Sequence, residues 1–288
     1  MSKPHILVVE GNPAATRDAL AEAGCRVPGP LYADTLRGLC PQVVVRILAV
    51  ADGEHLPPGV GLGDFDGVAW TGSAYNIYDD TPAAPVPGIK AQVELMREAL
   101  SAGTPVFGSC WGLQVAAVAT GGAVRRNPKG REFGIARGIA LTQAGVTHPM
   151  YRGKGPVFAA TAIHFDEVET LPPGALALAG NAMSTIQAAE IPWSGGTFWG
   201  VQYHPEFDIA EIGHYGRRYA EGLTREGIFS GPDDAAAWTD ACFALKASPR
   251  RDLAWRLGVD ADVLEESRRL RELDNWLTVM VLPRAGRR

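Results

Sequence analysis

Val106-Phe107-Gly108-Ser109-Cys110-Trp111-Gly112-Leu113-Gln114 is the stretch whose reading decides the fold. A short apolar run passes through a glycine and a serine to a cysteine. A second glycine then leads into helix-forming residues. This is the composition of a strand that ends in a sharp corner from which a helix departs. Small neighbours let the backbone take the strained angles that such a corner needs. The corner aims backbone N–H groups, and the positive end of the new helix, at whatever the Cys110 thiol attacks. Free cysteine is also among the most buried residue types and can be mere filler. Glycines on both sides favour a nucleophile.

Outward from this corner, the chain alternates. Apolar, β-branched runs at residues 6–9, 43–50, 67–70 and 106–107 suit strands buried on both faces of a parallel sheet. Helical segments fall between them. One covers residues 13–23, with Asn12 as its cap and Pro13 in the first turn. Others cover residues 89–102 and 113–119, stopped by Gly103 and by Gly121-Gly122. The pattern predicts an α/β fold with a doubly wound, mostly parallel sheet. Reactive groups in such sheets gather at the carboxyl ends of the strands. Cys110 falls at one such end and Thr71-Gly72-Ser73 at another. Strand-like segments at 133–141, 157–162, 175–179, 185–190 and 197–202 are expected to extend the sheet in antiparallel fashion, before a helix over 208–221.

The division expected is an α/β domain over 1–230 and a C-terminal helical extension over 231–288. Helices are expected at 238–246, 253–257 and 262–277. The last would put Val263, Leu270, Leu273 and Leu277 on one face, and Glu265, Arg268, Arg269 and Arg271 mostly elsewhere. That face reads as packing on the parent domain, with a docking surface as the alternative.

The 288 residues carry a net charge of −5, with acids and bases mixed along the chain. This is no electrostatic footprint for nucleic acid or an anionic membrane. No apolar run reaches about eighteen residues, and no leader pattern opens the sequence, so a cytoplasmic protein is expected. Cys25, Cys40, Cys110 and Cys242 lack paired spacing, which suggests neither disulfides nor a metal site. No cofactor is expected.

A second segment completes the chemistry: Trp199-Gly200-Val201-Gln202-Tyr203-His204-Pro205-Glu206-Phe207. A strand ends in a histidine, and a glutamate follows two positions later. In extended chain these two face the same side, and Pro205 keeps His204 extended. Glu206 can then orient the imidazole and leave its other nitrogen for a thiol. Cys110, His204 and Glu206 would be nucleophile, base and orienter. The bland alternative is a His-Pro turn before a helix with an acidic first turn. His5, His55, His148 and His214 have no partner at useful spacing and read as structural or exposed.

Together these two segments resemble the class I, triad-type glutamine amidotransferases, the glutaminase domain of GMP synthetase being a familiar example. The resemblance spans roughly residues 60 to 210. It implies that Cys110 attacks the side-chain amide of glutamine, that a γ-glutamyl thioester forms as ammonia leaves, and that water releases glutamate. It further implies that His204 is base and acid and that Glu206 orients it. By the same resemblance, Trp70-Thr71-Gly72-Ser73 supplies an oxyanion hole from the N–H groups of Gly72 and Trp111, with Ser73 beside the substrate. Ile163-His164-Phe165-Asp166-Glu167-Val168 matches a segment near the glutamine site, and Gln114 a glutamine lining the pocket. Plain alternatives are a strand end with solvated acids and a helix-surface amide.

Phe165 stands where relatives carry glycine, and Trp111, Tyr75 and Tyr78 are large. These aromatics would narrow a glutamine pocket or line a site for a bulkier amine. No ATP-pyrophosphatase signature follows the triad, so GMP synthesis by this chain alone is not expected. Three readings stand. The first is glutamine hydrolysis with ammonia passed to a separate synthetase. The second is hydrolysis of γ-glutamyl amides of a bulkier amine without such a partner. The third is a binding or regulatory protein with an unused site, which the intact triad disfavours.

Overall fold

The computed structural model describes residues 3–287. Its strands are β1 (His5–Val9), β2 (Val44–Leu48), β3 (Gly67–Trp70), β4 (Val106–Ser109), β5 (Ala123–Arg126), β6 (Glu132–Leu141), β7 (Val157–His164), β8 (Asp166–Thr170), β9 (Leu176–Gly180), β10 (Ala188–Trp193) and β11 (Gly196–Val201). The main sheet runs in the order β2-β1-β3-β4-β11-β10-β9-β6-β7, and β5 pairs with β8 in a separate ribbon. Every pairing from β2 across to β11 is parallel. From β11 onward every pairing is antiparallel. The expected mixed sheet is therefore present. β11, expected in the antiparallel extension, joins the two halves, because its side toward β4 pairs in parallel.

Side chains along a strand alternate between faces, and the core divides accordingly. Ile6, Val8, Ala69, Phe107, Trp199 and Val201 point to one face, against Tyr32 and Leu36 of α2 (Pro28–Leu39). Leu7, Val9, Val68, Trp70, Val106 and Phe198 point to the other. There they meet Met96 and Leu100 of α3 (Pro87–Ser101) and Leu113 of α4 (Trp111–Ala119). Helices on both faces explain why these strands are apolar throughout rather than alternating. α2 opens on Pro28, tolerated in a first turn because the N–H it lacks has no helical acceptor there. Its Pro-Gly-Pro start hides a helix from a reading of the sequence.

Asn12 does not cap the first helix, α1 (Ala14–Glu22). Pro13 holds that position, and Asp52 Oδ1 accepts from the Ala14 N–H at 2.8 Å. The Asn12 amide donates instead to Glu10 and to the Gly72 carbonyl, and its Oδ1 accepts from the Ala74 N–H. A short α5 (Gln143–Thr147) sits beside β9. The helix expected over 208–221 is broken at Tyr219 into α6 (Ile209–Arg218) and α7 (Ala220–Arg225).

Beyond residue 231 come α8 (Pro232–Ala247) and α9 (Arg251–Leu257). The long helix expected over 262–277 is three short ones: α10 (Ala261–Leu264), α11 (Glu266–Arg269) and α12 (Arg271–Trp276). Glu265 is extended between the first two, and Leu270 leaves helical geometry before the third. The apolar residues stay buried through the breaks: Val263, Leu270, Leu273 and Leu277 all lie in the core. Arg269, expected on the polar side, is buried too, because its guanidinium reaches the Pro205 carbonyl. Trp276 packs 5.9 Å from Phe107, and a Cβ at Gly67 of β3 would sit 2.8 Å from the Trp276 ring. No helix among the described residues is long and apolar enough to cross a membrane.

Candidate active site

Cys110 sits at the carboxyl end of β4 with φ 51° and ψ −97°. A non-glycine residue at positive φ is costly and is held only where its surroundings over-determine it. Here the Cys110 N–H donates to the Val201 carbonyl at 2.7 Å, tying the corner to β11. The flanking glycines give the clearance. A Cβ on Gly108 would lie 2.9 Å from the Gly112 Cα, and one on Gly112 would lie 2.9 Å from the Trp70 Cβ. Only glycine lets α4 leave the sheet this closely. Helix α4 starts at Trp111, so its first N–H groups lack helical acceptors and face the thiol's surroundings.

β11 delivers the second half of the site. Past Val201, the His204 N–H donates to the Thr161 carbonyl at 2.8 Å. The Thr161 hydroxyl donates back to the His204 and Phe207 carbonyls. His204 Nδ1 meets Glu206 Oε1 at 2.7 Å, and the imidazole lies flat on Phe207, with centroids 4.1 Å apart and planes 6° apart. The other Glu206 oxygen accepts from the Ser109 hydroxyl at 3.0 Å, and Ser109 in turn meets Tyr32. Burial opposes charge on His204, but the Glu206 carboxylate and the Cys110 sulfur outweigh it and raise the imidazole to about 10. This shift favours the protonated imidazole beside the Cys110 sulfur. This is the electrostatic setting in which a cysteine works as a nucleophile.

The proposed oxyanion loop faces the histidine. A Cβ on Gly72 would stand 2.7 Å from His204 Cε1. The Ser73 hydroxyl donates to the Gly11 carbonyl at 2.9 Å, and Asn12 clamps the loop from below. Glu10 and Asn12, at the carboxyl end of β1, are missing from the sequence-derived set, although the strand-end rule points there too. Trp111 departs from expectation. Its indole is fully buried, donates to Gln92 Oε1 at 2.8 Å and points away from the cavity, so only its backbone can serve the site.

A cavity of about 500 Å³ opens over the thiol. Gly72, Ser73, Gln114, His164, Phe165, Asp166 and His204 all line it with Cys110. Tyr75, Tyr78, Tyr215 and Tyr219 extend its walls. Gln114 is buried and donates to Gln202 at 3.4 Å. The two ring nitrogens of His164 are both engaged, with the Asp166 carbonyl and with Glu132 at 2.8 Å each, so His164 shapes the wall. Glu132 also accepts from Asn181 and Gln187. Burial would raise its carboxyl, but these bonds and the one with His164 bring it below the usual range. Asp166 Oδ1 accepts from the Tyr78 hydroxyl at 2.7 Å. Burial raises the Asp166 carboxyl, and that hydrogen bond counters only part of the effect. Arg126 and Arg131 enter the same cavity and were not singled out from sequence. Two arginines beside a short polar ribbon carry no motif, and only folding brings them to the thiol.

Residues 80–216 match the family model described as glutamine amidotransferase class-I. The chain is 35% identical over 295 residues to a γ-glutamyl-L-1-hydroxyisopropylamide hydrolase from Pseudomonas sp., covering 100% of this chain and 97% of that protein. A glutamine-hydrolysing GMP synthase subunit from Methanoculleus marisnigri is 36% identical over 37% of this chain and 54% of its own length. The fold is also that of a glutamine amidotransferase from Thermotoga maritima, with a TM-score of 0.66 at 18% identity over 98% of this chain and 99% of that one. A cysteine at a strand-to-helix corner on the carboxyl end of β4, inside a mixed sheet, accompanies a full-length relative and the matching family model, and together these establish that the chain belongs to the class I glutamine amidotransferases.

Proposed function

We propose that this protein hydrolyses γ-glutamyl amides with Cys110, His204 and Glu206 as its catalytic residues, and that the amine it releases is larger than ammonia. The observation that carries the reading is the cavity of about 500 Å³ over Cys110, walled by Tyr75, Tyr78, Tyr215 and Tyr219. It leaves room for an amine substituent beyond a glutamyl group. The full-length similarity to a γ-glutamyl amide hydrolase supports the same choice. Glutamine itself, with ammonia passed to a separate synthetase, remains the second reading, and the partial match to a GMP synthase subunit favours it.

The chemistry follows from the geometry. The Cys110 thiolate attacks the γ-carbonyl carbon, whose oxygen takes up negative charge. N–H groups of Gly72 and Trp111 stabilise that oxygen. His204 gives its proton to the amide nitrogen as the C–N bond breaks, the amine leaves and a γ-glutamyl thioester remains. His204, now neutral, takes a proton from water as the oxygen attacks the thioester. Glutamate departs and the thiolate–imidazolium pair is restored. Glu206 holds one imidazole tautomer throughout.

The test is a substrate panel on wild type and Cys110→Ser. Wild type should show a higher kcat/KM for a γ-glutamyl hydroxyalkylamide than for glutamine, and the variant should lose both activities while keeping its melting temperature. An electrophilic glutamine analogue should modify Cys110. Cys25 and Cys242 should stay unmodified, since burial pushes both thiols up to about 12. A preference for glutamine that strengthens with a synthetase present selects the second reading. Adducts mainly at another cysteine overturn both.

A further inference from the structure

We infer that Arg126, seated on the ring of Phe165, anchors the α-carboxylate of the γ-glutamyl group, with Asp166 facing its α-ammonium. This rests on the γ-glutamyl reading above and adds to it the part of the site that recognises an amino acid rather than a plain amide.

The position of Arg126 is built, not incidental. It ends β5, and Asp166 stands opposite it in register on β8. The next residue, Asn127, is buried and pinned: its N–H donates to the Phe165 carbonyl at 3.0 Å and its side chain to Met183 and Ser184. The Arg126 guanidinium carbon lies 4.0 Å from the Phe165 ring centroid, a cation–π seat on the wall of the cavity.

Charge singles this arginine out. Arg131 also lies over Phe165, at 4.8 Å, but Glu226 holds it through two bonds of 2.8 and 3.1 Å. Arg125, on the other side of the strand, pairs with Glu167 and Glu169. Among the described residues, no carboxylate lies within ion-pair distance of Arg126. The acid that faces it, Asp166, is bonded to Tyr78. An arginine without a partner beside the nucleophile is suited to a planar, two-oxygen anion, which its forked donors match.

Reach agrees with this assignment. Cys110 Sγ touches the Ile163 carbonyl at 3.8 Å, and Phe165 follows two residues later. Two residues of chain span at most about 7 Å. From the γ-carbonyl carbon of a glutamyl group to its α-carboxylate there are four C–C bonds of about 1.5 Å each. Cys110 and Arg126 line one cavity, so a substrate with its γ-carbonyl at Cys110 extends its α-carboxylate into the space that Arg126 borders. Phe165, which lines the cavity as expected from sequence, is at the same time the platform for two guanidinium groups.

The experiment compares γ-glutamyl ethylamide with 4-aminobutyryl ethylamide, which lacks only the α-carboxylate, in wild type, Arg126→Gln and Arg126→Lys. Arg126→Gln should lose about 100-fold in kcat/KM on the glutamyl substrate, mainly through KM, the worth of a charge-assisted pair. It should stay within about threefold of wild type on the shorter amide, and Arg126→Lys should fall between. Inhibition by L-glutamate against 4-aminobutyrate reads the same difference at the level of binding. Phe165→Leu, which removes the platform but no charge, should weaken the same preference and serves if Arg126→Gln folds poorly. Equal losses on both substrates, a preference that survives in Arg126→Gln, or a loss confined to substrates whose leaving amine is acidic would each overturn the assignment. If wild type hydrolyses neither glutamine nor any γ-glutamyl amide, it is the functional reading that fails.

Discussion

Gly72→Ala tests the closest contact in the site. The added Cβ would stand 2.7 Å from His204 Cε1, where ordinary contact begins at 3.4 Å. The imidazole must retreat by about 0.7 Å or more, or the loop must. Neither has slack. The ring is bonded to Glu206 at 2.7 Å and stacked flat on Phe207, and the loop is tied to Asn12. A shift of the ring takes the proton relay off the thiol, and a shift of the loop withdraws the Gly72 N–H from the developing oxyanion. Misplacement by about 1 Å costs on the order of 100-fold in rate, so kcat/KM on a γ-glutamyl amide should fall about 30- to 100-fold. Overpacking should also cost about 1–3 kcal/mol of stability, read as a lower melting temperature. Gly38→Ala is the control, since a Cβ there meets nothing within 4 Å and the residue is helical. It should leave activity unchanged. A Gly72→Ala enzyme within threefold of wild type would refute the reasoning, because it would mean that the histidine need not occupy its observed place.

Other outcomes follow from the same geometry. Glu206→Gln removes the carboxylate charge that helps to raise His204 from 6.5 to about 10, so the alkaline limb of kcat/KM should move to lower pH. The sign for stability is that of a group whose proton is held more tightly when folded. Wild type gains the full contribution below pH 6.5 and loses it as pH rises towards 10. Denaturant unfolding from pH 6.5 to 10 should show that decline, and a shallower one in Glu206→Gln. Arg269→Met removes the 3.1 Å bond to the Pro205 carbonyl, which braces the loop between His204 and Glu206. A hydrogen bond from a charged group is worth about 1.5–3 kcal/mol, and kcat should fall about tenfold with KM little changed. Arg269→Lys should recover part of it, and equal effects on kcat and KM would speak against a positioning role.

The elements legible in the sequence are those whose signal is local. The β3 and β4 strands, the corner at Cys110, and the His204-Pro205-Glu206 spacing each sit within a few consecutive residues, and the structure brings them together as one site. Elements with conflicting local signals were not legible. α2 begins in Pro-Gly-Pro, and the 262–277 segment has helical periodicity but breaks at Glu265 and Leu270 while its Arg269 and Glu272 reach Pro205, Lys154 and Tyr203.

By itself the sequence determined the alternation of strand and helix and the pairing of a thiol corner with a histidine–glutamate strand end. Backbone sterics and two-residue periodicity act within a few residues and leave their trace in composition. Only the tertiary structure decided the rest. It turned the Trp111 indole into the core and left its backbone at the site. It set Arg126 on Phe165 across a ribbon joining residues about forty apart, and laid Arg269 of the C-terminal helices against the loop between His204 and Glu206. Such contacts depend on the burial and charge pairing of residues distant in the chain, and no local pattern encodes which distant partner a side chain will meet.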